Sequence, residues 1–129
     1  MRPSTAEDED AGDLGQIRLA AESDLADGSM MAVKPPGLER IAIYRLAGRL
    51  YATQDSCTHS NASLAQGYLE DHRVICAAHG GEFCIRTGAA LCFPATEPLR
   101  CFRVWVRDAV IYGDLTGAVR QADGAESPV

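Results

Sequence analysis

All three histidines of this chain fall in one stretch, CTHSNASLAQGYLEDHRVICAAHGG, which runs from Cys57 to Gly81 and holds two of the five cysteines. Its spacing is C-x-H, then sixteen residues, then C-x-x-H. Cys57 follows directly on the strand-like LYATQDS, and Cys76 closes the strand-like HRVI. The two short motifs therefore sit on loops leaving neighbouring strand ends. Loops at the same end of a sheet can converge on one object, which asks for a fold that turns these two toward each other.

The rest of the pattern agrees with that demand. GQIRLA near 15–20 and SMMAVK near 29–34 read as strands around the turn formers DLADG. ERIAIYRLAGRLYATQ reads as a hairpin: Ile41, Ile43 and Arg45 alternate with Ala42, Tyr44 and Leu46, and Ala47–Gly48 makes the turn. LRCFRVWVRDAVIYGDL reads as a second hairpin turning at Arg107–Asp108, and GYLEDHRVI as a third around Glu70–Asp71. No helix of useful length is expected, only one short turn in SNASLAQG. Short strands broken by turn residues predict an all-β chain built as a small sandwich or barrel. Residues 1–13 are expected to be a disordered acidic tail, 14–116 one domain, and 117–129 a flexible C-terminal tail.

Length and charge narrow the function classes. A chain of 129 residues suits one domain. Residues 1–30 carry eight acids and two bases, whereas the remaining ninety-nine carry ten of each, so the net charge of −6 belongs to the N-terminal end. The acidic run reads as a solvated tail. With no basic stripe, nucleic acid is not an expected partner. No apolar run approaches the ~20 residues of a membrane span, and the N-terminus has neither an apolar signal region nor a twin-Arg pair. The cytoplasm is the expected compartment. There five cysteines point to metal or redox work before disulfides.

Cys57, His59, Cys76 and His79 admit three readings. Zinc accepts two Cys and two His, but zinc fingers pair Cys with Cys and His with His, with the His pair on a helix. A catalytic Cys–His couple lacks a visible third member. A [2Fe–2S] cluster with one iron on two Cys and the other on two His explains why each loop carries one residue of each kind, which is Rieske ligation.

The motifs CTH and CAAHGGEF resemble the Rieske signature. The downstream RTGAALCFPATEPLRCFRVWVRDAVIYGDL resembles the C-terminal part of the small Rieske-type ferredoxins that serve bacterial aromatic-ring-hydroxylating dioxygenases. The resemblance covers about residues 15–115. It implies a Rieske fold, with an antiparallel β-sandwich base and a two-loop cluster-binding tip. It implies one [2Fe–2S] cluster held by Cys57, His59, Cys76 and His79, with Gly80 and Gly81 bringing backbone N–H groups to the sulfurs and a loop around Pro94 covering the third side. Respiratory Rieske subunits resemble C-T-H-x-x-C and C-x-C-H-G-S-x-Y. This chain has Ala62 and Ala78 at the extra cysteines, and Gly81 and Phe83 at the Ser and Tyr. Those departures point to the low-potential branch, near the lower end of the Rieske range at about −150 mV.

The resemblance implies an electron carrier rather than an enzyme. A terminal oxygenase needs a second iron site, usually two His and a carboxylate, and beyond the cluster motifs only His72 remains, expected as an exposed strand residue. The expected partners are an NAD(P)H-dependent flavoprotein ferredoxin reductase and the terminal Rieske oxygenase of a multicomponent aromatic dioxygenase, with the carrier a monomer. The alternatives are a small Rieske subunit of another oxidoreductase such as a nitrite reductase, and a structural zinc module. Cys84, Cys92 and Cys101 read as small apolar side chains, with Cys92, beside the Pro loop, exposed to oxidation. Trp105 and Phe102 read as packing residues.

Overall fold

A computed structural model describes residues 16–58, 60–78, 80–93 and 95–119, the last four as backbone. Among the described residues ten strands follow in chain order. They are β1 (Gln16–Ala21), β2 (Ser29–Val33), β3 (Ile41–Leu46), β4 (Arg49–Gln54), β5 (Tyr68–Glu70), β6 (Arg73–Ile75), β7 (Glu82–Cys84), β8 (Ala90–Cys92), β9 (Cys101–Arg107) and β10 (Val110–Val119). The only helical pieces among the described residues are 3₁₀ turns at Glu22–Asp24 and Leu64–Gln66, the second inside SNASLAQG.

The strands form two antiparallel sheets. The larger has the order β1-β10-β9-β4-β3-β2 and the smaller β5-β6-β7-β8. The smaller sheet, with its flanking loops, lies against one side of the larger.

Strand β3 shows why the layers hold together. Ile41, Ala42, Ile43 and Tyr44 are all fully buried, because this strand is covered on both faces. Successive side chains point to opposite faces. Ala42 and Tyr44 join Val74, Phe83, Ile85, Leu64 and Leu99 in a core between the sheets. Ile41 and Ile43 join Leu19, Leu25, Ala52, Phe102 and Ile111 in a second core on the far side. That second core unites β1 and β3, which are not neighbours in the sheet, so the larger sheet curls around it. Tyr44 keeps its hydroxyl satisfied by a 2.8 Å hydrogen bond with Thr53. Burial drives its phenol well above the ordinary value, and the Thr53 bond opposes that shift.

The hairpin at Ala47–Gly48 is as expected, with Leu46 opposite Arg49 and positive φ at both turn residues. Two turns lie one residue later than their sequence suggests. Arg107 pairs with Val110, so the turn is Asp108–Ala109, and Glu70 pairs with Arg73, so the turn is Asp71–His72. Asp71, Asp108 and Ala109 adopt the left-handed region without being glycine, which local composition does not advertise. His72 is therefore a turn residue, half-buried edge-on against Tyr51 with ring centres 5.7 Å apart. Strand β10 reaches Val119, past the expected domain end at 116. It takes in residues 117–119 of the tail expected at 117–129; the rest of that tail, 120–129, and the expected tail at 1–13 lie outside the described residues.

Candidate metal centre

The two Cys-bearing loops share one backbone design. In the first, the Cys57 amide donates to the Ala62 carbonyl at 2.9 Å, and the Asn61 amide donates back to the Cys57 carbonyl at 3.0 Å. In the second, the Cys76 amide donates to the Gly81 carbonyl at 2.8 Å, and the Gly80 amide donates to the Cys76 carbonyl at 2.9 Å. Each loop thus binds its first residue to the residue five ahead and is answered from four ahead. The residue four ahead is left-handed in both, Asn61 at φ 63° and Gly80 at φ 80°. Asn tolerates that region better than most side chains, and Gly adopts it freely.

This equivalence assigns Gly80 a definite task. Its amide is engaged with the Cys76 carbonyl and its φ is positive, so it forms the loop turn. Gly81 is buried and accepts the Cys76 amide. Asn61, the counterpart of Gly80, is a loop-turn position that sequence reasoning missed. The only available signal was an Asn four residues after a Cys.

Cys57 and Cys76 are each 1 % exposed, so both loops present a thiol at the same depth. The side chains of the two loops also meet. Ser60 Oγ lies 3.7 Å from Cys76 Sγ, a contact invisible in the sequence. A third segment closes on the first loop: Thr58 Oγ1 donates to the Glu97 carbonyl at 3.0 Å, and the Ala95 amide donates to the Cys92 carbonyl at 3.0 Å. His59, His79 and Pro94 lie outside the described residues. The structure brings together Cys57, Cys76, Gly80 and Gly81 from the expected site.

The first loop is held from below by a buried carboxylate. Asp55 is 0 % exposed. Its Oδ1 accepts the Ala65 amide at 2.9 Å, and Oδ2 lies 3.2 Å from Arg40 Nε. The Arg40–Oδ2 contact is an ion pair without good hydrogen-bond alignment, since Oδ2 has no hydrogen-bond partner. Arg40 also donates to Ser56 Oγ at 3.2 Å and to the Asn61 carbonyl at 3.4 Å. One guanidinium therefore clamps both ends of the loop. A Ser56–Ser63 bridge closes its base. The second loop has a different support. A Cβ on Gly67 would stand 2.0 Å from the Ile75 carbonyl oxygen, so only glycine lets the Leu64–Gln66 turn approach the strand that leads into Cys76.

The remaining cysteines divide. Cys101 is buried, and burial, then the charge of Cys84, pushes its thiol up to about 12. That fits its expected role as a small apolar side chain. Cys84 is half-buried. Burial acts to raise its thiol, but hydrogen bonds from Thr87 and Arg86 prevail and hold it below the ordinary value. Cys92 is exposed, which does not fit core packing and does fit sensitivity to oxidation. Phe102 packs in the second core, and Trp105 stacks on Tyr112 at 6.4 Å.

The chemistry of this donor set is that of a group gripped across two loops. Two buried thiols, one per loop, sit on loops that share the same pair of backbone bonds. Comparison with known proteins agrees. Residues 15–103 match the family model for the Rieske [2Fe-2S] domain. The 3-phenylpropionate/cinnamic acid dioxygenase ferredoxin subunit of Photorhabdus laumondii is 41% identical over 100 residues, covering 77% of this chain and 93% of its own length. The ferredoxin component of biphenyl 2,3-dioxygenase from Rhodococcus jostii is 40% identical over 102 residues, covering 79% and 94%. Among solved structures, a complex of reduced oxygenase and oxidized ferredoxin in carbazole 1,9a-dioxygenase superposes with a TM-score of 0.77 at 34% identity, over 82% of this chain and 98% of that one.

Proposed function

Because the chain belongs to the Rieske [2Fe–2S] family, we propose that Cys57 and Cys76 hold one iron of its cluster and His59 and His79 the other. The protein is the electron-transfer component of an aromatic dioxygenase system, not the subunit that oxidises substrate. It receives electrons singly from an NAD(P)H-dependent flavoprotein reductase and delivers them, as a monomer, to the terminal Rieske oxygenase. The observation that carries the ligand assignment is the shared design of the two loops. A cluster that takes one Cys and one His from each side is served by two similar frames, and the loops around Cys57 and Cys76 share the same pair of backbone bonds, from the Cys amide to the residue five ahead and from the amide four ahead back to the Cys carbonyl.

When bound, a [2Fe–2S] cluster supplies a one-electron couple. The chain's own residues do the rest. Cys57 and Cys76 sit where water is excluded. Arg40 and Asp55 fix the first loop, and Gly67 lets the second be backed by the Leu64–Gln66 turn. Ser60 reaches from one loop to the sulfur of the other, and its hydroxyl must donate when that sulfur is a thiolate ligand. Thr58 ties the first loop to the segment at Glu97.

The assignment is tested on protein purified without added metal. Two irons and two acid-labile sulfides per chain are expected, with a low average g-value in the reduced sample. Replacing Cys57 or Cys76 by Ser, or His59 or His79 by Ala, abolishes the signal. Cys84→Ala and Cys101→Ala leave the visible spectrum unchanged. A full cluster in Cys76→Ser, or zinc without labile sulfide in the wild type, would sink the proposal.

A further inference from the structure

The nine arginines among the described residues fall into two groups. Arg40, Arg45, Arg73 and Arg100 form ion pairs, with Asp55, Glu22, Glu70 and Glu82, and Glu39 respectively. Arg18, Arg49, Arg86, Arg103 and Arg107 are exposed and have no carboxylate partner among the described residues. These five are not scattered. Arg18 stands opposite Tyr112, Trp105 opposite the same Tyr112, and Arg103 opposite Asp114, so strand register puts them on one face of the larger sheet. Alternation along β9 adds Arg107, whose guanidinium lies 4.6 Å from the Tyr112 ring centre. Arg49, Arg86 and Arg103 line one groove of about 520 Å³ with Tyr51 and Trp105. The intervening residues Phe102 and Ile111 are buried in the second core, so the arginine face is the outward one.

Five exposed guanidiniums, with Asp114 the acid that strand register places among them, make this face positive on a chain of net charge −6. Like charges on one sheet face repel, so a face of this kind calls for an anionic cover. Arginine suits carboxylates in particular, because its planar fork matches them bidentately.

The complementary acids lie in the same chain. Glu7, Asp8, Glu9, Asp10 and Asp13 stand a few residues ahead of Gln16. Gln16 begins β1, at the sheet edge, and pairs with Asp114 in the row that contains Arg103. From β1 across β10 and β9 to β4 is three strand spacings, roughly 14 Å. The nine residues 7–15 can span up to ~30 Å when extended. Reach and charge both fit.

We propose that the outward face formed by Arg18, Arg49, Arg86, Arg103 and Arg107 is the binding site for the acidic sequence Glu7–Asp13 of the same chain. The site is remote from the metal centre, since Arg49 begins the strand whose other end leads to Cys57. The contact covers the base of the molecule and leaves the two loops open.

Trp105 is the single tryptophan and lies on this face, so it reports the contact directly. Acrylamide quenching of its fluorescence is measured on the full-length, cluster-loaded protein at ~10 mM and ~1 M salt, where the Debye length is ~30 Å and ~3 Å. The quenching constant is expected to rise about twofold at high salt as the contact is screened. No rise is expected in full-length protein carrying Glu7→Gln, Asp8→Asn, Glu9→Gln, Asp10→Asn and Asp13→Asn, nor in Arg49→Gln/Arg103→Gln. Cluster absorbance checks that each variant is folded. A synthetic peptide of residues 5–14 should perturb Trp105 in the amidated variant and not in the wild type, whose face is already occupied. Equal quenching of wild type and amidated variant at low salt overturns the proposal, as does equal peptide binding to both. A salt effect that grows with protein concentration places the acids on a second copy and overturns the intramolecular assignment.

Discussion

Ser60 Oγ, on the first Cys-bearing loop, lies 3.7 Å from Cys76 Sγ on the second. A hydroxyl that donates to a ligand sulfur stabilises the reduced state more than the oxidised one, because the reduced state carries the added negative charge. Ser60→Ala is therefore expected to lower the midpoint potential. At this length the bond belongs at the modest end of the scale, about 0.5–1.5 kcal/mol, which converts to roughly 20–60 mV for one electron. Cyclic voltammetry of wild type and variant measures it. The pair Gly81→Ser, Phe83→Tyr, which adds donors where high-potential relatives have them, should move the potential the other way. An unchanged potential in Ser60→Ala shows that the hydroxyl does not bond the sulfur in the loaded protein.

Removing Arg40 should unsettle the first loop more than neutralising its partner does. Arg40→Ala leaves the fully buried Asp55 carboxylate with the Ala65 amide alone. Because Arg40 is itself 40% exposed, the cost falls below that of breaking a fully buried pair, at about 1–3 kcal/mol. Asp55→Asn keeps an oxygen for Ala65 and removes the charge, so it should cost less. Urea unfolding followed by visible absorbance checks the order. Equal stability of wild type and Arg40→Ala would show that the clamp contributes nothing.

The three cysteines outside the loops should differ in reactivity. The thiolate is the nucleophile, so a thiol held below its ordinary value offers more of it at a given pH, and one raised to about 12 offers almost none. With iodoacetamide at mildly alkaline pH, the exposed Cys92 and the half-buried Cys84 should be alkylated in the native protein while Cys101 is spared. Denaturant should expose Cys101. Peptide mass spectrometry reads the sites, and early labelling of Cys101 would contradict its burial.

Partners should approach the loop end of the molecule, where residues 60–62, 80–81, 93 and 95 lie. Phe93 is 81% exposed there, with Leu91 nearby and half-exposed. An exposed aromatic at the rim of an electron-transfer site is an anchor for docking. Phe93→Ala is expected to slow reduction of the terminal oxygenase roughly fivefold, the equivalent of ~1 kcal/mol, with no shift in potential. Deletion of residues 1–13 should leave that rate within about twofold at physiological salt, where the Debye length is ~8 Å. Stopped-flow mixing of reduced carrier with oxygenase separates the two. A large loss on deletion would place the acidic sequence at the docking surface.

Features that depend on chain neighbours are written in the sequence. Alternating apolar residues specify strands, so the hairpin turning at Ala47–Gly48 was legible, and so was the pairing of one Cys with one His in each short motif. Turn positions were legible only where glycine marks them. Asp108–Ala109 and Asp71 take the left-handed conformation because their strands pair in a particular register. Register is set by which side chains find the core, and no local residue records it. The placement of β1 beside β10, joining the two ends of the described chain, emerges only on folding. Only there does Asn61 appear as the counterpart of Gly80, and Ser60 as the neighbour of Cys76. These relationships rest on backbone bonds within folded loops and on contacts between residues sixteen positions apart. Their energies exist only once the sheets have packed, because packing determines which loop ends meet.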